Sequence, residues 1–156
     1  MTPEQRKAIE HHFDYQAHGH AELRCDGHKI KLATRIVRRT RLVIAVYVDG
    51  YIKGECFKQD SEIGAKFWAT RKVYLHSPAR RAELAKEAKR RHIGKEIREF
   101  FAKQADAHYI YHEPTFPSAR AALKKFMSTC ADIEVVQIAG VAPERYIADW
   151  MDRPAP

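Results

Sequence analysis

The stretch HAELRCDGHKIKLATRIVRRTRLVIAVYVDGYIKGECF, residues 20–57, decides the fold class. It holds two Asp-Gly pairs, Asp26-Gly27 and Asp49-Gly50, each flanked by residues suited to strands. Both residues of such a pair tolerate positive φ, which a two-residue type I′ hairpin turn requires. A turn at 26–27 pairs Cys25 with His28, Leu23 with Ile30 and Ala21 with Leu32. Leu23, Ile30, Leu32 and Ile36 then share one buried face. The second pair, by the same grammar, joins residues 42–48 to residues 51–57 and sets Gly54 opposite Ala45, where another element can approach the backbone closely. Leu-Val-Ile-Ala-Val-Tyr-Val at 42–48 is apolar on both faces, which predicts a central strand. The expected fold is therefore α+β: a four-stranded antiparallel meander of two hairpins packed with helices, with an additional strand near Ile133.

Outward from this stretch the period changes. Thr2, Pro3 and Gln5 combine a capping-box spacing with proline at the first helical position, so a helix is expected from Pro3 to about Gln16, with Ala8, Ile9, Phe13 and Ala17 on its thin apolar side. Beyond Phe57, Asp60 or Ser61 can cap a short helix anchored by Phe67 and Trp68. Residues 71–76 read as extended, because Ser77-Pro78 disfavours helix before it and opens one after it. The helix expected over 78–91 has Leu84 as its only large apolar residue, so it is no core element, whereas residues 96–103 carry Ile97, Phe100 and Phe101 back toward the core. A strand at 108–112, a helix at 117–128 with Leu123 and Phe126 inward, and a strand at 133–138 follow. Tyr146 and Trp150 can dock a short helix before a fraying end from about residue 152.

The chain has 156 residues and 45% hydrophobic content, which predicts a single domain over residues 1–156 with an ordinary soluble composition. No apolar run is long enough to span a bilayer, and the opening residues carry no signal-peptide stretch, so no membrane partner and a location in the cytoplasm of its cell are expected. Cys25, Cys56 and Cys130 fit neither a disulfide framework nor a metal knuckle and read as reduced, structural thiols. Cys25 facing His28 across the first hairpin suggests a nucleophile and base, but that position favours packing over reactivity. His18 with His20, and His108 with His112, are the candidate metal pairs. On a strand the second pair stands about 13 Å apart, too far to share an ion. No phosphate loop, nucleophile with adjacent base or paired-carboxylate motif is present. The expectation is a non-enzymatic protein with no cofactor and no metal, of unspecified oligomeric state.

Charge is the strongest compositional signal. Twenty-eight Lys and Arg against twenty Asp and Glu give +8. Ten of the basic residues lie between 71 and 98: Arg71, Lys72, Arg80, Arg81, Lys86, Lys89, Arg90, Arg91, Lys95 and Arg98, against Glu83, Glu87 and Glu96. A field concentrated in this way attracts polyanions or acidic surfaces, and Tyr74 and His76 beside it offer stacking surface. All but Arg98, together with Tyr74, are the candidate binding residues, and a corner of Arg38, Arg39 and Arg41 extends the same chemistry. The plain alternative is a solvated helix whose charges pair at i,i+4.

Residues 42–91 also resemble small, uncharacterised accessory proteins of phages and prophages. The likeness rests on Tyr47-Val48-Asp49-Gly50-Tyr51, on Lys53-Gly54, on Phe67-Trp68, and on Arg71-Lys72-Val73-Tyr74-Leu75-His76-Ser77-Pro78 opening a basic helix. It covers about a third of the chain, and the region from His108 has no counterpart. The resemblance implies action by binding, either as a nucleic-acid-binding factor or as an inhibitor of host defence of the anti-CRISPR kind. A chain at +8 cannot imitate DNA. The partner it implies is thus a host defence protein or ribonucleoprotein complex, with contact to the nucleic-acid backbone. A general RNA- or DNA-binding module and a small nucleic-acid-acting enzyme are the rival readings.

Overall fold

The computed structural model describes residues 1–15, 17–37 and 40–151, so Gln16, the Arg38-Arg39 part of the basic corner and the end of the chain lie outside the described residues. The chain forms two compact units, one of residues 1–70 and 112–156, the other of residues 71–111.

The first unit is an α+β structure built on a five-stranded antiparallel sheet. Strands β1 (His20–Cys25), β2 (His28–Val37) and β3 (Arg41–Val48) form a meander. Its first turn has φ of +47° at Asp26 and +86° at Gly27, the two positive values of a type I′ turn. The register follows from it: Cys25 pairs with His28, Leu23 with Ile30, Ala21 with Leu32. Leu23, Ile30 and Leu32 are fully buried, but Ile36 is 59% exposed. It lies past His20 and Ala33, the last pair between β1 and β2, where only β3 accompanies the strand.

The expected fourth strand is absent. Asp49 and Gly50 do turn, with positive φ at both, and Val48 bridges to Tyr51, but the chain then enters a 3-10 helix, Gly54–Phe57. The edge of β3 that 51–57 would have used belongs to a distant segment. Strand β6 (Thr115–Phe116) pairs there with Ala45 and Ile44, and the Val46 amide donates to the Pro114 carbonyl at 2.8 Å. Gly54 consequently faces open space rather than Ala45. On the other side β7 (Ile133–Ile138) pairs with β1, giving the order β6-β3-β2-β1-β7. The central strand is thus β2, and β3 stands next to a two-residue edge.

Helices cover the apolar face. The capping box forms at the start of α1 (Pro3–Tyr15): the Gln5 amide donates to Thr2 Oγ1, and the Thr2 amide to Gln5 Oε1. Ala8, Ile9 and Phe13 of α1 enter the core with Ala122, Leu123 and Phe126 of α5 (Ala119–Thr129). Ser61 caps α2 (Glu62–Phe67), which delivers Phe67 and Trp68 to the same core. Helix α6 (Pro143–Met151) rests Tyr146, Ile147 and Trp150 against it. Two histidines are buried here. His12 Nε2 accepts the His20 amide and its Nδ1 meets the Tyr146 hydroxyl at 3.3 Å. His112 lies between the Thr70 hydroxyl and the Gln59 carbonyl. Among the described residues no helix is long and apolar enough to cross a membrane.

Candidate nucleic-acid interface

Residues 71–111 hold nearly the whole basic cluster. Strand β4 (Ala69–Tyr74) leads into this unit and β5 (His108–Glu113) leads out, the two pairing as a ribbon. Between them stand α3 (Pro78–Glu87) and α4 (Lys95–Ala105). Ser77 caps α3 by accepting the Arg80 amide at 3.3 Å, with Pro78 in the first turn. The helix stops at Glu87, earlier than its propensity suggests, and residues 88–94 turn the chain into α4. Ala82 and Ala85 of α3 and Ala102 and Ala105 of α4 line an open groove, with Ala82 and Ala102 exposed. Leu84 is the one residue of α3 that is buried, and α4 has none.

This unit carries eleven Lys and Arg against five Asp and Glu, a net +6 of the chain's +8. Its cations do different things. Arg81 lays its guanidinium 3.3 Å from the centroid of the Tyr74 ring while its Nε donates to the Ala105 carbonyl at 3.0 Å. Lys72 reaches the same ring at 4.8 Å and pairs with Asp106 at 3.4 Å, and its ammonium pKa is held above the ordinary value by contact with Tyr74 and then by Asp106. Tyr74 is therefore wrapped by its own unit's cations, and Arg81 fastens α3 to the end of α4. His76 is tied to Gln104 at 3.2 Å. Arg80 pairs with Glu83, Arg90 with Glu87, and Lys95 with Glu99 at 3.9 Å.

Lys86, Lys89 and Arg91 are exposed and have no ion pair among the described residues. They cluster in sequence at the carboxyl end of α3, where the helix dipole favours positive charge. Arg71 is exposed at the start of the unit on β4. In the first unit Arg41 is exposed beside Thr40.

The apolar side of α4 does not return to a core. Ile97 is 50% and Phe100 56% exposed. Ala102 and Ala105, which line the groove beside α3, lie about 140° around α4 from the Ile97–Phe100 stripe. Strand β3, in contrast, buries both faces, with Val43 and Ala45 on one and Ile44, Val46 and Val48 on the other.

Sequence reading overlooked Tyr109 and Tyr111. The alternation His-Tyr-Ile-Tyr-His at 108–112 held the signal, since residues two apart share a strand face. Their rings lie 6.1 Å apart.

The other chemistry separates. Cys25 is fully buried, and burial, reinforced by Cys130, pushes its thiol up to about 12. Its neighbour His28 is engaged by Asp49 at 2.9 Å. The pairing expected across the hairpin therefore holds a protonated thiol at neutral pH. Among the described residues no three His, Cys, Asp or Glu converge so as to hold a metal ion. His108 and His112 lie at the two ends of one strand.

Comparisons of the chain with protein-family models, with curated proteins and with solved structures find no match.

Proposed function

We propose that residues 71–111 are a docking unit for a nucleic-acid-containing partner, and that the protein acts by stoichiometric occupancy rather than turnover. The observation that carries this reading is the concentration of +6 in a unit with almost no buried side chains. Such a unit is maintained at the cost of self-repulsion, and its field accelerates encounter with a polyanion. Ile97 and Phe100 supply the apolar anchor that gives residence time after encounter. Strand β3 is the poorer anchor, because Val43, Ile44, Ala45, Val46 and Val48 are buried.

The resemblance of residues 42–91 to phage and prophage accessory proteins directs the reading to a CRISPR-type defence complex of the host, whose guide RNA supplies the acidic partner. Titration into a reconstituted effector reaction tests it. Inhibition is expected to saturate near one inhibitor per effector site and not to grow with incubation. The triple variant Lys86→Glu, Lys89→Glu, Arg91→Glu should keep its fold, since these side chains are exposed and unpaired, and should inhibit more weakly and with a shallower dependence on salt. Small amounts disabling an excess of effector would indicate an enzyme. Absence of inhibition, with salt-dependent binding to bare RNA or DNA, would leave the general nucleic-acid-binding module as the better reading.

A further inference from the structure

The ribbon of β4 and β5 has two unlike faces. Thr70 meets His112, and Tyr74 meets His108, so the even-numbered residues of both strands share one face. Within the 71–111 unit that face is spent: Tyr74 lies against Arg81, Lys72 and His108. Alternation puts Arg71, Val73, Tyr109 and Tyr111 on the opposite face. There Tyr109 is 50% exposed, Tyr111 and Val73 are half-buried, and Arg71 is exposed. The two tyrosine rings sit 6.1 Å apart with planes inclined by 37°, neither stacked nor edge-on. Neither phenol has a hydrogen-bond partner among the described residues.

We propose that this face, centred on Tyr109 and Tyr111, is a stacking platform for the bases of single-stranded nucleic acid. The proposal rests on the reading of residues 71–111 as a nucleic-acid-binding unit and names the form of nucleic acid that it takes. Two observations meet here: two aromatic rings 6.1 Å apart on one strand face, Tyr109 being 50% exposed, and the net +6 of the unit to which they belong. Aromatic rings on a pleated surface present their faces to bases that are unpaired and splayed, which a duplex does not offer. Stacking of this kind accepts any base, so the platform is tolerant of sequence.

The test is fluorescence anisotropy with a labelled 12-nucleotide single strand and a duplex of the same length, using the full chain. Tighter binding of the single strand is expected. Tyr109→Leu and Tyr111→Leu should each weaken it about tenfold, equivalent to about 1.4 kcal/mol, without changing the slope of affinity against salt. Tyr109→Phe should retain parental binding, because the ring remains, and serves as the control for folding of the strand. The Lys86→Glu, Lys89→Glu, Arg91→Glu variant should instead lower the salt slope for single strand and duplex alike. Equal or tighter binding of the duplex, unchanged affinity in Tyr109→Leu, or no binding of either oligonucleotide overturns the proposal. Inhibition of the effector by Tyr109→Leu at parental strength would likewise defeat the platform while leaving the docking reading standing. Loss of inhibition in the triple variant with no loss in the tyrosine variants separates the two in the same way.

Discussion

Replacing Leu84 with Ala removes the one buried side chain of α3, which is 5% exposed, from a two-helix unit whose second helix buries none. The truncation deletes three carbons. At about 0.8 kcal/mol for each buried methylene equivalent the transfer loss is about 2.4 kcal/mol, and an unfilled cavity adds to it within the ~2–5 kcal/mol span of such changes. No other side chain of either helix is buried to compensate. A loss of about 2–3 kcal/mol multiplies the open population of the helix pair by roughly 30 to 150. Residues 71–111 form their own unit, so the opening should be local. Hydrogen exchange read by mass spectrometry is the assay. Amides over 78–105 should lose protection by that factor, while those of β1, β2 and β3 keep theirs. Unchanged protection over 78–105, or an equal loss throughout the sheet, would show that Leu84 is not what holds this unit together.

The first unit offers three further tests. A Cβ on Gly64 would stand 2.0 Å from the Cys56 carbonyl oxygen and 2.8 Å from the His112 ring, so Gly64→Ala should cost about 1–3 kcal/mol in overpacking and exceed the gain in helix propensity of about 1 kcal/mol; a melting temperature at or above the parent's would refute the contact. Burial, with help from His20 and His11, holds the His12 pKa below its ordinary value. The unfolded chain therefore takes up the proton first, and this contribution to stability is full above about pH 6.5 and declines as pH falls below it. Denaturant midpoints at pH 7.5 and 5.5 should differ less in His12→Gln than in the parent; equal differences would contradict the assignment. Asp26 bonds Lys66 at 2.7 Å and accepts the Asp132 and Ala131 amides, which together bring its carboxyl down to about 2. Its contribution is present above about pH 4 and is lost as pH falls through about 2, so Asp26→Asn should flatten acid unfolding over that window. Parallel acid titrations of parent and variant would exclude it.

Local chemistry was readable in the chain. The type I′ turn at 26–27 dictates which residues of β1 and β2 face each other, because only two residues separate the strands. The cap at Thr2, and that at Ser61, one of two candidates with Asp60, act on amides three residues away. The burial of Leu123 and Phe126 follows from helical spacing, and the basic cluster is a matter of composition. Each of these is settled within a few residues. The fourth strand was not, since residues 51–57 have strand-like neighbours but compete for the edge of β3 with Pro114, Thr115 and Phe116, a contest between segments some sixty positions apart. The same holds at the site. Tyr74 and Arg81 look alike in sequence to the other candidate binding residues around them, and only the way α3 and α4 pack on the ribbon turns them into a stacked, structural pair. Ile97 and Phe100 have the spacing of a core face, yet α4 leaves that face in solvent. Sequence by itself determined the turns, the caps, the register of one hairpin and the location of the positive charge, all short-range or additive properties. Which strand edges are occupied, which cations are spent on structure and which aromatic rings stay open were decided only by tertiary structure, because each depends on the side chain that another part of the chain brings within a few ångströms.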